Sequence, residues 1–123
     1  NLGFGSSVNL AFKKVKTKYA LHIDLDTKLS NESIYKLLNK ANNIKDFVMM
    51  VPKIKNHNYE KKDFITKNLY KNIHQMNYVD GCCMLFKMQE LKKIGFFDKN
   101  FFLYFEETDL QKRIIDQSKK ILM

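Results

Sequence analysis

Two hydrophobic periods take turns along this chain, and that alternation limits the fold more than any other feature. Val8, Ala11, Phe12 and Val15 recur at i, i+3, i+4 and i+7, with Lys13, Lys14 and Lys16 on the opposite face; this is an amphipathic helix. Ahead of it, Gly3-Phe4-Gly5-Ser6-Ser7 reads as a flexible turn whose hydroxyls cap that helix. Residues 19–23 form a short, mostly apolar run, a predicted strand, which empties into Asp24-Leu25-Asp26. Ser30 then stands at a cap position before Ile34, Leu37, Leu38 and Ala41, again at helical spacing. Residues 47–51 are a continuous apolar run stopped by Pro52, as in a buried strand.

From 53 to 77 the pattern fades into a polar, Lys- and Asn-rich connection, with a short helix expected around 64–73. A connection of that length is often a functional loop. Residues 82–86 read as another strand, and 89–93 as a short helix closed by Gly95. The aromatic cluster Phe101, Phe102, Tyr104 and Phe105 leads to Glu106-Glu107-Thr108-Asp109 and a helix to about residue 118, with Leu110 and Ile114 inward. Residues 120–123 begin a further strand. Strands alternating with helices argue for an α/β sheet with helix-covered faces.

At 123 residues with 45% hydrophobic content, the chain has enough apolar side chain for one core, and only 4 Gly and 1 Pro argue against disorder. No apolar run approaches the roughly 18 residues of a membrane-spanning helix, and the start does not read as a signal peptide. Because it opens on Asn1 and stops inside an apolar stretch, the chain is expected to be a piece of something longer. The net charge, 22 − 13 = +9, would ordinarily suggest a polyanion partner. However, Arg113 is the sole arginine, and the lysines are spread without a block. Nucleic acid is therefore not expected, since base and phosphate recognition leans on arginine forks. A basic surface holding an anionic substrate or membrane headgroups stays open. Cys82 and Cys83 are adjacent, poor spacing for a structural disulfide, and read as buried thiols of a reducing, cytoplasmic compartment.

Two acidic sites carry the chemistry. Asp24 and Asp26, two apart at a strand end, are expected on the same side, where they either bind one hard cation, Mg²⁺ or Mn²⁺, or shape a turn. Glu106, Glu107 and Asp109 crowd a helical first turn. There they either gain from the helix dipole or, beside a dry aromatic wall, supply a general base toward a hydroxyl.

Four stretches in register resemble the family 2 glycosyltransferases of the GT-A fold, and among them the rhamnosyltransferase-like branch. They are Asn1-Leu2-Gly3-Phe4-Gly5-Ser6-Ser7-Val8-Asn9, Leu21-His22-Ile23-Asp24-Leu25-Asp26-Thr27, Val79-Asp80-Gly81-Cys82-Cys83-Met84-Leu85, and residues 94–110 ending Glu106-Glu107-Thr108-Asp109-Leu110. The resemblance implies a Rossmann-like GT-A sheet (the nucleotide-diphospho-sugar transferase fold) with flanking helices, of which residues 1–123 are the central and C-terminal part. An earlier βαβ portion, supplying the first strand and much of the base pocket, has no counterpart here. The piece alone is accordingly expected to bind nucleotide sugar poorly and to fold marginally.

The implied activity is inverting transfer of a hexosyl or deoxyhexosyl group from a nucleotide-sugar donor to a hydroxyl of a glycan or lipid-linked acceptor. Its implied setting is cell-surface polysaccharide synthesis, in the cytoplasm or peripherally at the inner face of its membrane. The family's D-x-D falls on Asp24 and Asp26. Asp26 would ligate the divalent cation that holds the donor diphosphate, and Asp24 would contact the metal or the ribose. The family's second acid in E-D-x-D-L falls on Glu107 as the base, a departure from Asp that lengthens its reach by one methylene. Glu106 or Asp109 would bind acceptor. Gly3, Gly5 and Asn9 would contact donor, and Gly81 would let sugar and acceptor approach the sheet. The family's later metal-facing His matches none of His22, His57 and His74. Two other readings compete. A haloacid-dehalogenase-like phosphatase also uses D-x-D, but it wants Thr or Val where Lys28 stands. A non-catalytic basic module would grip a glycan or polyanion without turnover.

Overall fold

The computed structural model describes residues 2–123; Asn1, which opens the first matched stretch, lies outside them. The first helix, α1 (Phe4–Lys14), starts from Gly3 at φ 79°, ψ 170°. A Cβ there would meet the Phe102 carbonyl oxygen at 2.4 Å, so both backbone conformation and space demand glycine. Contrary to expectation, Ser6 and Ser7 do not cap the helix. They lie inside its first turn, and the Ser7 hydroxyl donates back to the Gly3 carbonyl at 2.7 Å. Val15 is the residue that ends α1. Strand β1 (Tyr19–Ile23) and helix α2 (Asn31–Asn43) form as expected, the Ser30 hydroxyl accepting from the Ser33 amide at 3.1 Å.

Residues 47–51 are all buried, yet only β2 (Met49–Met50) is regular strand. Its partner β6 (Ile121–Leu122) is equally short, and Pro52 ends the run. The expected helix at 64–73 is instead a hairpin, β3 (Phe64–Tyr70) and β4 (Ile73–Met76). Asn72 in the turn (φ 58°) and Asn68 at a register shift (φ 52°) adopt the left-handed conformation that asparagine tolerates. Strand β5 (Cys83–Lys87) starts after a turn that contains Cys82. Helix α3 (Met88–Ile94) is closed by Gly95 at φ 93°. Helix α4 (Glu106–Asp116) stops short of Ser118, which turns left-handed at φ 56°.

The sheet order is β1-β5-β2-β6-β4-β3. Strands β1 and β2 run antiparallel to β5, and β2 is parallel to β6. The carboxyl ends of β1, β2 and β6 therefore share an edge with the start of β5. Alternate residues of β5 feed two cores. Met84 and Phe86 face Phe12, Leu91, Leu110 and Ile114 from α1, α3 and α4, whereas Leu85 faces Leu37 and Ala41 of α2. Helices thus cover both faces, and each fully buried Leu, Phe or Met contributes about 1.5–3 kcal/mol. This mixed α/β sheet with flanking helices is consistent with the GT-A fold.

Candidate active site

The shared sheet edge carries a cavity of about 240 Å³ between the end of β1, the start of β5 and the first turn of α4. Asp24, Gly81, Glu106 and Glu107 line it, with Phe4, Met84 and Leu103 among its apolar walls. Asp24 follows the last residue of β1, and its amide donates to the Cys82 carbonyl at 2.9 Å, fixing it beside Gly81. His22 donates from Nε2 to Asp24 Oδ1 at 2.9 Å. The edge of the Phe4 ring system holds that imidazole in turn, with ring centroids 5.2 Å apart at 86°.

Asp26 does not join them. β1 ends at Ile23, the Thr27 amide closes a turn onto the Asp24 carbonyl at 3.0 Å, and Asp26 sits exposed in that turn. The expected same-side pairing on a strand fails because the two-residue period stops with the strand.

Two successive aromatics, Tyr104 and Phe105, take left-handed backbone (φ 69° each) immediately before α4, and no side chain caps the helix. Such conformations cost of order 1 kcal/mol apiece and gather at functional sites. The turn they make delivers Glu106 and Glu107 to the cavity. Glu106 is buried, at 4% exposure, and its Oε2 has no hydrogen-bond partner among the described residues. Glu107 is half-buried against Gly81, where a Cβ would stand 3.4 Å from Glu107 Cγ. Burial, with the Glu107 and Asp80 carboxylates nearby, pushes the Tyr78 phenol up, so its hydroxyl is neutral. Asp109 turns elsewhere. It accepts from Arg113 Nε and Nη2 at 2.8 Å, while Arg113 Nη2 also donates to the Phe96 carbonyl at 2.8 Å, locking α4 to the segment after α3.

The remaining expected contacts serve packing. Gly5 lies against Phe97, where a Cβ would come to 3.0 Å. Asn9 pairs with the Phe97 backbone through Nδ2 to the carbonyl at 2.8 Å and through Oδ1 from the amide at 3.1 Å. Both cysteines are free; burial pushes Cys82 up and Cys83 to about 11, so both are neutral thiols. His57 approaches Asp80 at 3.6 Å, and His74 accepts from the Asn68 amide.

Among the described residues no three His, Cys, Asp or Glu side chains gather in a metal cluster. Asp24 and Asp26 offer two hard oxygen donors on one short loop. With only Asp24 lining the cavity, a Mg²⁺ or Mn²⁺ there would draw most of its ligands from phosphate oxygens and water.

Three participants escaped the sequence. His22 carried a visible signal, an imidazole two residues before Asp24 at the period of a strand. Tyr78 and Gln111 carried none, because their partners are distant in the chain. Gln111 is fully buried and accepts from the Val79 amide at 2.7 Å while donating to the Val79 carbonyl at 2.8 Å. It clamps α4 to the strand-entry loop that carries Gly81.

Residues 1–95 match the family model described as glycosyl transferase family 2. That stretch contains Asp24, Asp26 and Gly81, and α4 follows it. No curated protein matches the chain. No helix among the described residues is long and apolar enough to cross a membrane.

Proposed function

The chain belongs to glycosyl transferase family 2, and on that premise we propose an inverting transferase in which Glu107 is the base and Asp24 and Asp26 serve the donor. The observation that carries this reading is the convergence of Asp24 with Glu106 and Glu107 on one cavity, from opposite ends of the sequence. An acceptor hydroxyl hydrogen-bonded to Glu107 gives up its proton as its oxygen attacks the anomeric carbon. The bond to the nucleoside diphosphate breaks on the opposite face, so configuration inverts. The Glu107 carboxylate at the first turn of α4 accepts that proton. The unpartnered Glu106 oxygen suits a second acceptor hydroxyl, which would satisfy it. Gly81 leaves room for the sugar over the sheet.

A divalent cation bound by Asp26, with Asp24 on the metal or ribose, would offset charge on the departing diphosphate. His22 keeps Asp24 oriented. Gly3, Gly5 and Asn9 act by holding the loop and helix beside the donor, and Asp109 by fixing α4 through Arg113. We assign the transferred group to the hexosyl or deoxyhexosyl class, as in the rhamnosyltransferase-like branch, and the acceptor to a glycan or lipid-linked glycan of cell-surface polysaccharide. The reaction would run in the cytoplasm, at the inner face of the membrane.

The test is nucleoside-diphosphate release from a panel of nucleotide sugars. Glu107→Gln should lower turnover roughly 10²–10⁴-fold, the usual worth of a general base, while nucleoside-diphosphate binding survives. Undiminished turnover by Glu107→Gln removes it as base. Phosphate release from a phosphomonoester, without transfer, would replace the reading with a phosphatase.

A further inference from the structure

A second cavity, of about 390 Å³, lies over the start of β5 between the loop after β1 and the loop after β2. Thr27, Lys28, Lys53, Lys55, Cys82 and Cys83 are among its lining, and no carboxylate is. Cys82 also lines the acidic cavity, which has three carboxylates and no lysine. One residue therefore separates an acidic chamber from a basic one.

The lysines are held by local chain geometry. Lys28 follows the Asp24–Thr27 turn, Pro52 directs the chain after β2, and a turn at Lys55 and Asn56 (φ 63°) bends it back. Like most lysines of the chain, Lys28, Lys53 and Lys55 form no ion pair among the described residues, so their charge is available to a ligand. The first turn of α2 opens onto the same space through Ser33, adding the positive end of a helix dipole.

We propose that this basic cavity binds a phosphate-bearing part of the acceptor, so that the sugar hydroxyl in the acidic cavity and an anionic group beside it are held together. The acceptor assignment rests on the transferase reading; the anion site itself does not. A single carboxylate would leave two ammonium groups without a partner, whereas a phosphate or diphosphate offers charge and oxygens for all three. The neutral Cys82 thiol between the chambers adds no negative charge to repel it.

The test is titration of the protein with inorganic pyrophosphate in EDTA, followed by ³¹P NMR, since a cation-dependent donor site is silent there. Wild type should bind, and K28A/K53A/K55A should bind roughly ten-fold or more weakly. K13A/K14A/K16A, which removes the same charge from α1 and its C-terminal end, should stay within about two-fold, as distant exposed charges are screened. Glu107→Gln should bind like wild type even though transfer is lost, which separates failure of this site from failure of the transferase reading. Absence of wild-type binding overturns the proposal, and so do equal losses in the two lysine triples, which would mean diffuse attraction to net charge. A nucleoside diphosphate that competes far better than pyrophosphate would make the cavity the donor's. Competition from vesicles of phosphatidylcholine and phosphatidylglycerol in equal amounts, as strong as that of pyrophosphate, would make it a membrane-headgroup site. Either result removes the acceptor assignment.

Discussion

Gln111→Leu isolates the contact on which the candidate site's geometry depends. In the native chain the Gln111 amide closes both polar groups of Val79, at 2.7 and 2.8 Å, and Gln111 and Val79 are 1% and 2% exposed. Leucine fills much of the same volume but leaves a buried amide and a buried carbonyl without partners. Each orphaned group costs about 1–3 kcal/mol, and added apolar burial returns part of that. The expected net loss is about 2–4 kcal/mol, a fall in Tm of about 10 °C for a domain of this size. Urea titration and thermal melts by circular dichroism measure both. Gln111→Glu sharpens the test. An ionised carboxylate can still accept from the Val79 amide but cannot donate to its carbonyl, and burial raises its folded pKa above the unfolded value. A raised folded pKa means stability present in mild acid and lost as pH rises through it, so this variant should approach wild type at low pH and weaken toward neutrality. A Gln111→Leu variant within about 0.5 kcal/mol of wild type, or a Gln111→Glu variant with no such slope, would refute the clamp.

Glu106→Met removes an unpartnered buried oxygen while keeping an unbranched side chain of similar length. It should stabilise the protein by about 1–2 kcal/mol in urea titration and lower transfer in the nucleoside-diphosphate release assay, the trade expected when a group is retained for a ligand. Glu90 accepts from Lys93 at 2.8 Å and pairs with Lys119 at 3.3 Å, and these bonds hold its carboxyl below the ordinary value. A lowered folded pKa gives stability that is present above the unfolded value and lost as pH falls through the folded one. Glu90→Gln should therefore cost about 0.5 kcal/mol at neutral pH. Melts at successively lower pH should show the difference from wild type closing at the acid end of the carboxylate range.

What was legible in the sequence follows from which elements have one buried face. Helices α1 and α2 press one stripe each onto the sheet, so their spacing announced them, and β1 and β5 were visible as apolar runs. Strand β3 was not, because it is the edge of the sheet and residues 65–68 are all exposed. With only its ends, Phe64 and Leu69, packed against the cores, exposed residues such as Lys67 and Asn68 carry no alternation, and the same polarity keeps the edge from pairing with another chain. The site divides in the same way. Its acids could be picked out by type and spacing, but their arrangement depends on where strands stop and how helices begin. Asp24 reaches the cavity and Asp26 lies outside it because β1 ends between Ile23 and Asp24, a boundary that an alternating pattern cannot locate to one residue. Glu106 and Glu107 reach it because Tyr104 and Phe105 accept left-handed backbone, a cost no local preference of aromatic residues would suggest. A chain that accepts two strained residues, an uncapped helix and a buried oxygen without a partner at one spot gains nothing there in the free state. On the transferase reading a substrate hydroxyl entering the cavity would satisfy that oxygen, so the site is written in residue types yet readable only in three dimensions.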